Sequence, residues 1–183
     1  MKTLLINASP HFSGDTSALI QALTAHLRGE IVSFECYRRN VSPCVDCRRC
    51  LREPGCAIDD DMRFVFESLA DADTVVLASP IYFSLPTPPA IALMSRFQTV
   101  YASRFRSEKI RFSEKRGGIL LTGGGSGGAD SAEAVAKRLL RAAGVRTFGE
   151  TVVSARTDHL PARADTNALA AAIRLADFLN ASQ

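Results

Sequence analysis

The chain has no block of like charge, no apolar run long enough to cross a bilayer, and no internal repeat or low-complexity tract. Its 22 Lys and Arg against 19 Asp and Glu leave a formal net charge of +3, scattered along 183 residues. Weak, dispersed charge excludes the basic footprint of a nucleic-acid or membrane-surface protein. The first apolar run stops at Asn7 and Pro10, short of a signal-peptide core, and nothing later approaches a membrane span. No nucleic-acid partner and no membrane are therefore expected, and the expected compartment is the cytoplasm. Histidine is also sparse: His11, His26 and His159 stand alone, without metal-ligand spacing. No serine–histidine–acid pattern presents itself, and Asp59, Asp60 and Asp61 read as the first turn of a helix.

What is present is a regular alternation. Short apolar runs at 2–7, 30–35, 74–79, 117–122 and 146–154 read as strands. Longer amphipathic stretches at 15–28, 59–72, 88–104, 131–143 and 165–181 read as helices. Strictly alternating β and α elements with continuous apolar strands predict an α/β fold, an open parallel sheet covered on both faces. No composition break divides the chain. One domain over 1–183 is expected, with a cysteine-rich loop at 43–58.

Ligands of such sheets bind beyond the carboxyl ends of the strands, and three of the loops there are unusual. After the first strand, ASPHFSGDTS places Ser9, Ser13, Thr16 and Ser17 at a helix start, an anion cradle suited to a phosphate. Taken alone, Ser9, Thr16 and Ser17 would be a capping cluster, with Asp15 or Thr16 as N-cap. After the third strand, SPIYFSLPTPP sets Tyr82 and Phe83 in a proline-framed turn, where Tyr82 suits a ring wall and Phe83 reads as more structural. After the fourth, TGGGSGGADS lets backbone approach a ring edge. Gly123, Gly125 and Gly128 also fit G-x-G-x-x-G, a weak dinucleotide signal because it follows the fourth strand rather than the first.

Four of the five cysteines lie in PCVDCRRCLREPGC, with C-x2-C-x2-C-x5-C spacing. Cys44, Cys47, Cys50 and Cys56 could ligate a metal centre, a [4Fe–4S] cluster or zinc, or remain redox thiols. Arg48, Arg49 and Arg52 would lower the thiol pKa values. The odd cysteine, Cys36, lies outside the loop.

Through NASPHFSGDTS, CVDCRRCLREPGCAIDDDM, ADTVVLASPIYFSLPTPPAIALMSRF and LLTGGGSGG, in this order and spacing, the chain resembles the flavodoxin-like NAD(P)H-dependent FMN reductases, in particular their iron–sulfur flavoprotein branch. The resemblance fades after about residue 155. It implies a doubly wound five-stranded parallel sheet in 2-1-3-4-5 order, bound FMN and NAD(P)H as electron donor. It further implies an electron acceptor as second partner and a homodimer or higher homo-oligomer. By position, Ser9, His11, Ser13, Asp15, Thr16 and Ser17 would hold the phosphate. Pro80, Ile81, Tyr82 and Phe83 would flank the isoalloxazine, and Thr122, Gly123, Gly124 and Gly125 would line its polar edge. The four loop cysteines would hold a [4Fe–4S] cluster. The chain departs from the family pattern at Ala8, His11, Asp15, Ile91 and Ser95, while Arg96 is kept. A flavodoxin-like electron carrier without NAD(P)H turnover, or a non-redox module with a structural zinc loop, are the alternative functions.

Overall fold

A computed structural model describes residues 1–125 and 128–181. Six strands form in the order β1 Lys2–Asn7, β2 Glu30–Glu35, β3 Thr74–Tyr82, β4 Leu85–Pro86, β5 Lys115–Gly123 and β6 Val145–Ala155. Between and after them run the helices α1 Asp15–Thr24, α2 Met62–Asp71, α3 Pro88–Arg96, α4 Gln98–Ala102, α5 Ala129–Ala142 and α6 Thr166–Asn180. The five long strands are parallel in the order β2-β1-β3-β5-β6, with β4 added antiparallel to β3. Numbered among themselves, the long strands run 2-1-3-4-5, the expected doubly wound order.

The two-residue period of a strand sends alternate side chains to opposite faces, and the core divides accordingly. Leu4, Ile6, Val75, Leu77, Ile119 and Leu121 pack under α2, α3 and α5. Leu5, Val76, Ala78, Leu120 and Val152 pack under α1 and α6, against Leu19, Leu23, Ala172 and Leu175. With both faces covered, the strands read as unbroken apolar runs. Among the described residues no helix is long and apolar enough to cross a membrane.

Three helices are shorter than expected. The 59–72 helix runs only over Met62–Asp71, so Asp59 and Asp60 precede it and Asp61 is its N-cap rather than part of its first turn. The 15–28 helix ends at Thr24, and Gly29 at φ +85° turns the chain into β2 with its missing side chain against the Met1 carbonyl. The 88–104 helix breaks at Phe97 into α3 and α4, followed by a 3-10 turn. The proline-framed loop is a hairpin that the sequence pattern did not reveal. Ile81 pairs Pro86 and Tyr82 pairs Leu85, so Phe83 and Ser84 form a two-residue turn with φ +49° and +64°. Left-handed backbone at both central positions is the turn geometry that matches strand twist.

Candidate functional site

Sheet order reverses at β1, which has β2 on one side and β3 on the other. The loops leaving β1 and β3 therefore separate and open a cleft of about 200 Å³. From the first loop, Ser9, His11, Asp15 and Thr16 line it; from the second, Pro80, Ile81 and Tyr82; from the third, Thr122, Gly123 and Gly124. Ser13, Ser17, Phe83 and Gly125 are expected site residues that do not line it, while Gly14 and Thr157 do so without having been expected. The Thr157 amide donates to the Gly123 carbonyl (3.0 Å) and the Arg156 amide to that of Gly125 (3.1 Å), so the segment after β6 braces the glycine loop. Ser126 and Gly127, part of the expected glycine run, lie outside the described residues.

The first loop is organised by its own hydroxyls. Ser9 Oγ accepts from the His11 amide and donates to the His11 carbonyl, both at 3.2 Å, and Ser17 Oγ donates to that carbonyl at 3.1 Å. The Asn7 side chain accepts from the Ser9 amide at 3.0 Å and donates to Glu35 at 2.7 Å. Thr16 Oγ1 meets Thr122 Oγ1 at 2.8 Å, tying the start of α1 to the end of β5. The first intrahelical bond of α1 runs from Ala18 to the Gly14 carbonyl. First-turn N–H groups have no carbonyl behind them and face an anion. The serines thus shape the loop, and its backbone supplies donors.

Asp15 is not a cap. Gly14 occupies the N-cap without a side-chain bond, and Asp15 Oδ1 accepts from the Ala162 amide at 2.7 Å. The carboxylate is hydrogen-bonded to the loop after β6, while the residue still lines the cleft. The loop itself lacks Lys and Arg, yet the structure brings a cation to it: the Arg38 guanidinium lies 3.5 Å from the Phe12 ring centroid. Because β2 pairs β1, the segment after β2 reaches the same edge.

Phe83 is not structural core. It is fully exposed at the hairpin tip, since the turn directs it outward. Tyr82 and Tyr37 are half-exposed beside the cleft. The Tyr37 phenol is pushed up, first by burial and then by the Tyr82 phenol, with the neighbouring Thr87 side chain drawing it down. Thr87 in turn donates to the Ala8 carbonyl at 2.7 Å. Tyr37 had no sequence signal, because only its contact with Tyr82 and Thr87 places it here.

The glycines divide by cause. Gly128 has φ +89°, and a Cβ there would lie 2.5 Å from Ser84 Oγ, so the hairpin accounts for it and the dinucleotide spacing is coincidental. At Gly123 and Gly124 an added Cβ would have its nearest neighbours 3.6 and 3.9 Å away, and at Gly125 nothing lies within 4 Å. None of these three has left-handed backbone. The chain's own packing does not require them, which fits a lane kept open for a ligand.

The four loop cysteines come together in a second cavity of about 160 Å³, lined also by Arg96 and Thr99. Asp46 and Arg48, both left-handed (φ +50° and +59°), turn the chain between the thiols. Arg96, 2% exposed, staples the loop: Nη1 donates to the Ser42 carbonyl (2.9 Å) and Asp60 (2.5 Å), and Nη2 to the Ile58 carbonyl (3.2 Å). Ser95 Oγ accepts from the Cys44 amide at 2.9 Å. Asp60 also accepts from the Ser42 and Met62 amides at 2.9 and 3.1 Å, so it serves as more than a helix-start acid. Burial alone would push Asp60 up; the bonds from Arg96, Ser42 and Met62 outweigh it and hold the carboxyl below its usual range. Burial alone would likewise lower the Arg96 guanidinium, and Asp60 and Cys56 together outweigh it and raise it.

The expected lowering of thiol pKa is not seen at Cys50. Its thiol is pushed up, first by burial, with Cys56, Cys44 and Cys47 adding to the rise against its backbone bond. Arg48 is drawn to Asp46 (3.2 Å) and Arg49 to Glu53 (2.8 Å), so both guanidinium charges are paired with carboxylates rather than with the thiols. Among the described residues no group of three or more His, Cys, Asp or Glu side chains is placed to hold a metal ion. Four thiols around one space of about 160 Å³ are the donor set that a [4Fe–4S] cluster takes. Cys36 is buried elsewhere, its thiol pushed up to about 12, first by burial and then by Glu35.

An open parallel sheet with an amide-and-hydroxyl loop, a tyrosine loop and a glycine lane at its switch point defines the flavodoxin-like class. The chain belongs to the NADPH-dependent FMN reductase family, whose model matches residues 1–160. An iron–sulfur flavoprotein of Methanocaldococcus jannaschii is 29% identical over 99 residues, 52% of this chain and 51% of that protein. One from Methanosarcina thermophila is 29% identical over 131 residues, 70% and 66% of the two chains. The chain thus spans about half to two thirds of the length of these curated relatives. Among solved structures, the NAD(P)H:quinone oxidoreductase from Methanothermobacter marburgensis superposes with TM-score 0.77 at 19% identity, covering 100% of this chain and 98% of that one. An azoreductase from Bacillus anthracis gives 0.69 at 16%, covering 98% and 99%. At these identities the structures speak for the fold.

Proposed function

We propose that the protein is an oxidoreductase that binds one FMN in the cleft, takes hydride from NADH or NADPH and passes electrons to an acceptor, with a [4Fe–4S] cluster held by Cys44, Cys47, Cys50 and Cys56. The observation that carries the flavin is the meeting of three loops at the switch point, with a glycine lane that the chain's own packing does not require. The amides at the start of α1 would hold the phosphate, helped by the positive end of the helix. Tyr82 and Tyr37 would border the ring, and Gly123 and Gly124 would let backbone approach its polar edge. FMN, once bound, supplies the hydride and single-electron chemistry. The protein's work is then to bind, orient and leave one ring face open to the nicotinamide.

For the cluster the support is the ring of four thiols around one cavity, in a loop stapled at both ends by Arg96. A homodimer or larger assembly belongs to the same reading. Tyr82, Phe83 and Leu85 form an exposed apolar tip at the cleft, with Phe83 in left-handed backbone unfavourable for a bulky side chain. A second copy seated on that tip would bury it.

The test is purification under anaerobic conditions, followed by flavin, iron and acid-labile sulfide determination and NAD(P)H oxidation with an added acceptor. About one FMN and about four iron per chain, with turnover, are expected. Protein that stays colourless after reconstitution with FMN would overturn the reading. Flavin without NAD(P)H turnover would make it an electron carrier.

A further inference from the structure

Two buried hydrogen-bond donors at the four-cysteine cavity have no partner in the protein. Thr99, in α4, is 2% exposed and its Oγ1 makes no hydrogen bond; Arg96 Nε is equally buried and equally unpaired. Both residues line the cavity with the four cysteines. Leaving a buried donor unmade costs about 1–3 kcal/mol, so each such group calls for an acceptor. Arg96 has no freedom to find one elsewhere, because Nη1 and Nη2 are fixed on Ser42, Asp60 and Ile58. A threonine in a helix commonly bonds a carbonyl one turn back, and Thr99 does not.

Both residues also line a groove of about 870 Å³ on the outer side of the loop, as Cys56 does. They therefore form part of the partition between the cysteines and solvent. The acceptors that a cysteine-bound group would present to donors on that partition are sulfur atoms.

We propose that Thr99 Oγ1 and Arg96 Nε donate hydrogen bonds to sulfur of the group held by the cysteines, and that Thr99 thereby sets how readily that group accepts an electron. The inference rests on the cluster reading above. Accepting one electron from reduced flavin would make the group one unit more negative, with part of that charge on sulfur and no bond broken. Donors to sulfur favour the more negative form and so raise the reduction potential. Thr99 is a positioning and tuning residue that touches neither flavin nor nicotinamide in this arrangement.

The experiment compares wild type, Thr99→Val, which removes the donor at nearly constant shape, and Thr99→Ser, which keeps it. Iron and sulfide per chain are measured, then an anaerobic redox titration with mediators is followed by the iron–sulfur absorbance. Thr99→Val with wild-type iron is expected to show a reduced-to-oxidised ratio about three- to tenfold lower at the wild-type midpoint, tenfold being 59 mV for one electron, and Thr99→Ser to restore it. Iron lost in the valine variant but kept in the serine variant also supports a donor to the bound group. An unmoved midpoint in Thr99→Val, or equal changes in both variants, would overturn the inference and leave the cluster standing. Wild-type protein that takes up no iron after anaerobic reconstitution would defeat the cluster reading and the inference together.

Discussion

Thr16, in the first turn of α1, and Thr122, at the end of β5, share a buried hydrogen bond of 2.8 Å across 106 residues of sequence. The bond fixes the amide-bearing helix start relative to the glycine lane, so a phosphate and a ring edge can be met at once. Removing Thr16 together with Ser9, which orders the His11 peptide, should loosen both. The double variant Ser9→Ala, Thr16→Ala is expected to bind FMN at least tenfold more weakly, about 1.4 kcal/mol, as read by fluorescence titration. Unchanged affinity would remove the phosphate assignment from this loop.

Gly124 separates folding from binding. An added methyl group there would meet nothing nearer than 3.9 Å, and Gly→Ala at a compatible position stabilises by about 0.4–1 kcal/mol through the unfolded chain. Gly124→Ala is expected to melt at or slightly above the wild-type temperature while retaining less FMN. A destabilised variant with full flavin would show the glycine to be structural.

The Asp60–Arg96 pair should dominate the acid response of the cysteine loop. The Asp60 carboxyl is held below its unfolded value near 3.9, so its contribution is present above that value and lost as pH falls through the lower folded one. Thermal stability is expected to hold from about pH 5 upward and to drop below about pH 4. Asp60→Asn, which leaves Arg96 buried and unpaired, should cost about 3–5 kcal/mol at pH 7 and flatten the acid limb. A variant with wild-type stability at pH 7 would show that the pair does not hold the loop.

The fifth thiol should be inert. With Cys36 pushed up to about 12, roughly one molecule in 10⁴ carries the thiolate at pH 8. Metal-free protein is expected to react at the four loop thiols, with Cys50 the slowest of them because its thiol is also pushed up, and at Cys36 only on denaturation. A fifth fast equivalent would contradict the burial.

How far this was legible in the sequence follows from the range of the interactions involved. Strand runs, their alternation with helices, and the position of three unusual loops at strand ends are local patterns set by side-chain period and turn chemistry. They led to the open parallel sheet and to the three loops of the cleft, while the strand order and residues such as His11, Pro80, Ile81 and Thr122 came from the resemblance to the family. Contacts between distant segments leave no such mark. Asp15 looked like a cap because capping is local, whereas its partner, the Ala162 amide, is 147 residues away. Phe83 looked like core because it is apolar, until the pairing of Tyr82 with Leu85 put it at a turn tip. Tyr37, Arg38 and Thr157 became site neighbours only through strand pairing and the brace after β6. The cysteine spacing made a metal loop thinkable by itself. That its thiols ring one cavity, with Arg96 stapling the ends and Thr99 left without an acceptor, was decided by tertiary packing, because a buried donor's partner is a matter of three-dimensional neighbours rather than of sequence order.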